Sequence, residues 1–213
     1  MKVLTKIFSV NDFEVEKKQR SFNSFFKIDT YRLKHKLFKG GWTKVIVREL
    51  FERGHAAGVL LYDPQTRSVA LLEQFRIGAL EEPDGPWLYE IVAGVIEAGD
   101  TAEQTAIKEC LEETGVVLEE LIPIHSYFSS PGGSSEKLHL FCGITSLDGV
   151  GGVYGLAAEG EDINVQVVST EAAFNAVAAG KIKNAASIIA LQWLQINIDR
   201  LQKSSEKWAK LRV

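Results

Sequence analysis

Three short apolar runs, AAGVLLYD at 56–63, SVALLEQF at 68–75 and WLYEIVAG at 87–94, follow one another separated only by turn-forming residues. Runs of this length, split by Asp63-Pro64 and by the acidic Glu81 to Pro86 loop, read as buried strands. A helix follows them. Thr101 with Gln104 gives a capping-box signature and Gly115 a C-terminal stop, which places one helix over 101–114. Strands follow at about 122–129 and 137–145, alternating with glycine-rich loops. Two more helices close the chain. One comes after Thr170, and the other is opened by Asn184 and carries Ile188, Leu191, Leu194, Ile198 and Leu201 at helical spacing. Ahead of all this, residues 22 to 51 alternate apolar and polar side chains around Gly40-Gly41, the pattern of a separate antiparallel N-terminal sheet. The expected fold class is mixed α/β, divided near residue 54.

Composition excludes several classes of function. No apolar run reaches the roughly 18 residues a spanning helix needs, and Asn11, Asp12 and Glu14 interrupt the start before a signal-peptide core forms. Cys110 and Cys142 stand far apart without paired histidines, which argues against zinc and for a reducing, cytoplasmic location. Charge is unevenly spread. Residues 1–53 hold 13 of the 24 Lys and Arg and 6 of the 28 Asp and Glu, a net of +7, which leaves −11 for the remainder. That division suits an anionic ligand and a cation site in one molecule. The basic residues are interspersed with Glu14, Glu16 and Asp29, so no nucleic-acid partner is expected.

The 101–114 helix carries the chemistry. With Ile107 at zero, Ile107, Cys110, Leu111 and Thr114 gather within roughly ±60°, while Glu109, Glu112 and Glu113 fall between roughly 140° and 240°, on the face expected to point away from the core. A solvated acidic face would carry lysines at i,i+4 to relieve repulsion, and only Lys108 is near. Oxygen ligands concentrated in this way suit a hard divalent cation such as Mg2+.

The stretch GVIEAGDTAEQTAIKECLEETGV at 94–116 resembles the Nudix box, G-x5-E-x7-R-E-U-x-E-E-x-G-U, where U is a bulky aliphatic residue. Three positions depart from it: Asp100 stands for Glu, Lys108 for Arg and Cys110 for an aliphatic residue. Asp100 and Lys108 are expected to pair and brace the loop, and Cys110 to pack as a small hydrophobe. Beyond the box, RELFERGHAAGVLLYDP (48–64), LLEQFRIGA (71–79), PWLYEIVAG (86–94), SSPGGSSE (129–136), GLAAEGEDI (155–163) and GKIKNAASIIALQWLQ (180–195) resemble the ADP-ribose pyrophosphatase branch of that superfamily.

The resemblance implies an α/β/α sandwich with a mixed sheet over 55–213, preceded by a small antiparallel β domain over 1–54. It implies hydrolysis of ADP-ribose to AMP and ribose 5-phosphate with Mg2+, or Mn2+ in its place. The implied metal ligands are the Ala93 carbonyl, Glu109, Glu112, Glu113 and Glu161, and the implied general base is Glu159, in a glycine-rich loop suited to closing over substrate. Substrate contacts are implied at Arg48, Glu49, Arg53, Arg76, Val95, Ser130, Pro131 and Glu136, with Phe25 and Phe26 stacking on adenine. It further implies a homodimer that exchanges its N-terminal domains. Two alternatives remain open at this level: a nucleotide-sugar or dinucleotide diphosphatase, and a non-enzymatic ADP-ribose sensor, which would be expected to lose box glutamates or gain a DNA-binding domain.

Overall fold

The computed structural model describes residues 3–156 and 160–211, with side chains described through Lys203. The chain divides into two compact units, Met1–Gly54 with Phe128–Glu136, and His55–Tyr127 with Lys137–Val213.

The first unit is built on a three-stranded antiparallel sheet of β1 (Phe13–Asn23), β2 (Lys27–His35) and β3 (Ile46–Glu52), in the order β1-β2-β3. The turn before β3 contains Gly40 and Gly41, both at positive φ (92° and 78°), where side-chain-bearing residues are strained. β1 starts at Phe13, earlier than the alternation of apolar residues indicates. All eleven of its residues are exposed, so no buried face imposed a period of two on FEVEKKQRSFN. Asp29 on β2 is fully buried and paired with Arg20 and, at 2.9 Å, with Lys18 on β1. The Arg20 guanidinium, and after it the Lys18 ammonium, hold the Asp29 carboxyl down to about 2.

The second unit contains an eight-stranded mixed sheet. It is formed by β4 (Ala56–Asp63), β5 (Ser68–Phe75), β6 (Trp87–Glu90), β7 (Val92–Val95), β8 (Glu120–Phe128), β9 (Lys137–Ile144), β10 (Gly152–Tyr154) and β11 (Ile163–Ser169). The main path runs β10-β11-β5-β4-β9-β8, with β4 and β9 parallel and the β4–β5 and β5–β11 pairs antiparallel. β4 pairs with β5 only through Leu61, Tyr62 and Asp63, and its other end, Ala56 to Val59, pairs with β7. The far end of β5, Leu72 to Phe75, pairs with β6. Strands β6 and β7, joined at Ile91, therefore fill the gap where β4 and β5 diverge.

All eight residues of β4 are buried, and alternate ones face opposite layers. Leu60 and Tyr62 pack with α2 (Thr170–Ala178) and α3 (Ala185–Leu211) through Ala173, Leu191 and Leu194. Val59 and Leu61 pack on the other face with α1 (Ala102–Thr114) through Ala106 and Cys110. The second unit is the expected α/β/α sandwich with a mixed sheet, and the first is the expected small antiparallel sheet. No described helix is long and apolar enough to cross a membrane.

Candidate active site

α1 begins where the sequence placed its cap. Thr101 Oγ accepts from the Gln104 N–H at 3.2 Å, and Gln104 Oε1 accepts from the Thr101 N–H at 2.8 Å. It ends at Gly115, whose φ of 68° lets its N–H reach the Leu111 carbonyl at 2.9 Å. The loop between β7 and α1 is braced by Lys108, which reaches Glu97 at 3.4 Å and Glu112 at 3.9 Å. The expected Asp100–Lys108 pair is thus replaced by Glu97–Lys108.

The buried face of α1 also differs from the one read off the helical wheel. Thr105, Ala106, Cys110, Glu113 and Thr114 are buried, while Ile107 and Leu111 are 53% and 55% exposed. The helix is turned so that Glu109 and Glu113 meet β7. Glu113, only 4% exposed, accepts the Ala93 N–H on Oε2 at 3.1 Å. Glu109, one turn earlier, lies across Gly94: a Cβ built on Gly94 would stand 2.0 Å from Glu109 Oε1 and 2.5 Å from its Cγ. A side chain at 94 would therefore displace the Glu109 carboxylate from the position it holds beside the first glycine of the box. Cys110 is buried and free, and burial pushes its thiol far up, which makes it a packing residue.

Electrostatics converge on Glu113. Burial pushes its carboxyl up to about 8, opposed by the Ala93 N–H and by Arg76, and reinforced by the negative charges of Glu109 and Glu161. Glu161 is half-buried and accepts the Leu156 N–H at 3.2 Å. Arg76, just past β5, is held by the buried Glu90 of β6 through Nε and Nη2, each 2.7 Å from Oε2. Val95, at the end of β7, is half exposed. Glu159 lies outside the described residues.

The remaining expected residues lie in the first unit. Phe25 and Phe26 occupy the bend between β1 and β2 and are exposed rather than core, at 88% and 42%. The Phe26 ring meets Phe25 at 4.8 Å and Phe51 at 5.0 Å, both edge-on, with the Arg53 guanidinium 5.9 Å from its centroid. Arg53 Nε lies 3.2 Å from Glu136 Oε1, and Ser129 Oγ donates to Glu136 Oε2 at 2.6 Å. The loop carrying Ser130 and Pro131 is anchored to β3, because the Phe51 N–H donates to the Gly133 carbonyl at 2.8 Å. Phe25, Phe26, Arg53 and Glu136 thus form one constellation. Arg48, which donates to the Val47 carbonyl at 2.8 Å, and Glu49 lie farther along β3, exposed.

Comparison with known proteins places this geometry. The NUDIX domain family matches residues 52–191. The chain belongs to that family. It is 44% identical over 202 residues to the ADP-ribose pyrophosphatase of Escherichia coli K12, covering 95% of each chain, and 43% identical over 200 residues to that of Haemophilus influenzae, covering 92% of each. A GDP-mannose pyrophosphatase from Enterobacter sp. is 35% identical over 152 residues, 70% of this chain and 78% of the relative.

The donors of this Nudix domain suit a hard divalent cation. They are all oxygen, and they leave Glu113 buried beside the like charges of Glu109 and Glu161, with Arg76 acting against them. Among the described residues no three of these carboxylates converge closely enough to hold an ion by themselves; Glu113 and Glu161 each accept a backbone N–H, and Glu112 lies 3.9 Å from Lys108. Glu90 was not singled out in the sequence. The signal was present, because a carboxylate inside the apolar run WLYEIVAG has to be paired once it is buried.

The close approach at Gly94 generates a prediction. Gly94→Ala should displace the Glu109 carboxylate and weaken Mn2+ binding at least about tenfold. Electron paramagnetic resonance of the free ion checks this, and unchanged affinity would contradict the account.

Proposed function

We propose that this chain hydrolyses the diphosphate of ADP-ribose to AMP and ribose 5-phosphate, using Mg2+, with Mn2+ as a substitute, in the cytoplasm. The observation that carries the reading is the near full-length similarity to ADP-ribose pyrophosphatases. It is supported by the concentration of acidic charge and Arg76 around Glu113 beside β7. The Ala93 carbonyl, Glu109, Glu112, Glu113 and Glu161 would hold the metal. When bound, that ion neutralises charge on the diphosphate and lowers the pKa of a water molecule.

Each protein group has a role set by its chemistry. Arg76, Arg48 and Arg53 pair with phosphate oxygens, where a planar guanidinium gives bidentate contacts. Phe25 and Phe26 present ring faces and edges to adenine. Glu49, Val95, Ser130, Pro131 and Glu136 border the remainder of the substrate. Glu159 accepts the proton of the attacking water as its oxygen bonds to phosphorus and the bridging oxygen departs. The similarity to a GDP-mannose pyrophosphatase gives the second reading, a nucleotide-sugar diphosphatase.

The quaternary proposal is a two-fold homodimer in which residues 1–54 of each subunit complete the partner's site. Every residue of β1 is exposed, Phe13, Val15 and Phe22 among them, and an uncovered strand with apolar side chains is a surface that a second copy would cover. The segment also supplies the +7 charge that the −11 remainder needs for an anionic substrate.

Three outcomes are expected. A panel of ADP-ribose, GDP-mannose and dinucleotides, with Mg2+ and with EDTA, should give turnover of ADP-ribose that EDTA abolishes; intact ADP-ribose beside hydrolysed GDP-mannose would overturn the substrate assignment. Glu113→Gln and Glu159→Gln should each lower kcat at least about a hundredfold, with only the former shifting the Mg2+ requirement. Near-normal turnover by Glu159→Gln would move the base to Glu161 or Glu112. Mixing an Arg48→Ala chain with a Glu109→Gln chain should restore activity in heterodimers, and inactive verified heterodimers would place both residues in one subunit's site.

A further inference from the structure

The segment GKIKNAAS, at the start of α3, has no role in the chemistry described so far, yet its side chains reach towards β6 and the loop before it. Lys183 bridges the carboxylates of Glu82 and Asp84 in that loop. Asn184 caps α3, its Oδ1 accepting the Ser187 N–H at 3.2 Å, while its Nδ2 donates to Glu90 Oε1 at 2.7 Å. Ser187 Oγ accepts the Ile91 N–H at 3.1 Å. Glu90 is 5% exposed, and its other oxygen takes Nε and Nη2 of Arg76, with Gln74 Nε2 at 3.4 Å.

We infer that Glu90 and Asn184 are positioning residues for Arg76. A buried carboxylate gripping the Nε/Nη2 edge of the guanidinium leaves the Nη1/Nη2 edge for an anion. Held by Arg76 alone, Glu90 would keep rotational freedom about its side chain. The donor from Asn184 fixes its second oxygen, at the N-terminal end of a helix whose dipole favours negative charge. One amide thus does two jobs: Oδ1 caps the helix and Nδ2 orients the acid that orients the arginine. The inference rests on the reading of Arg76 as a diphosphate contact.

Asn184→Asp separates the two jobs. Aspartate caps a helix as well as asparagine does, but it offers Glu90 a second negative charge in place of a donor. In the full-length protein, ADP-ribose binding in EDTA, measured by calorimetry, should weaken about tenfold in Asn184→Asp and in Glu90→Gln. Neither change should weaken it further in an Arg76→Ala background. The Arg76 15Nε–1H resonance, assigned by its loss in Arg76→Ala, should be protected from exchange in the wild type and lost or shifted in both variants. Wild-type affinity and an unmoved resonance in Asn184→Asp would overturn the inference, as would equal losses with and without Arg76, which mark a purely structural effect. Should Asn184→Asp not fold, Glu90→Gln decides by the same readings. A wild-type protein that neither binds nor hydrolyses ADP-ribose overturns the proposed function, and the resonance still decides the coupling.

Discussion

The contact on which the site depends is the Glu113 carboxylate seated on the Ala93 N–H. It joins α1 to the short strand β7, and it buries a negative charge beside those of Glu109 and Glu161. Burying a carboxylate against a single amide is costly, and the raised proton affinity of Glu113 expresses that cost. With Ala106 and Cys110 packed in the core and Glu113 on this amide, Ile107 and Leu111 of α1 face outward while Glu109 lies across the bare Cα of Gly94.

That contact is available because β4 and β5 part company. Only three residue pairs join them, and the gap is filled by β6 and β7, which place Glu90, Ile91 and Ala93 within four residues of one another. Acidic groups of α1 approach from one side of this insertion. The α3 start, through Asn184 and Ser187, approaches β6 and Ile91. Arg76 is held on Glu90 and still acts electrostatically on Glu113, which places a fixed cation beside a concentration of carboxylates.

Much of the architecture was legible because it follows from local rules. The Thr101–Gln104 box, the Gly115 stop, the Asn184 cap and the short apolar run of β4 bounded by Asp63-Pro64 are each read from neighbouring residues alone. The errors were of a different kind. A helical wheel weighs hydrophobicity and has no entry for a backbone amide waiting on a neighbouring strand, so it put Glu113 in solvent. The Asp100–Lys108 pairing assumed the box pattern, whereas the turn through Gly99 leaves Glu97 as the partner of Lys108. β1 escaped because a strand with neither face covered has no alternation to read. The link from Asn184 through Glu90 to Arg76 spans 94 residues between its first two members, a separation at which no sequence periodicity reports.

The central proposal is that the buried Glu113 carboxyl, raised by burial and by Glu109 and Glu161 and only partly offset by Arg76, is a ligand for a divalent cation. Thermal unfolding of the wild type and Glu113→Gln, in EDTA and with Mn2+, from about pH 5 to pH 9, tests it most directly. With a folded-state pKa near 8 against an ordinary 4.5, the stability from protonated Glu113 is fully present below 4.5 and lost as pH rises through 8. In EDTA the wild-type Tm should therefore fall relative to Glu113→Gln as pH rises, leaving the variant the more stable protein at pH 8. Mn2+ should reverse that order by raising the wild-type Tm. Parallel pH profiles in EDTA, or equal stabilisation of both proteins by Mn2+, would contradict the account.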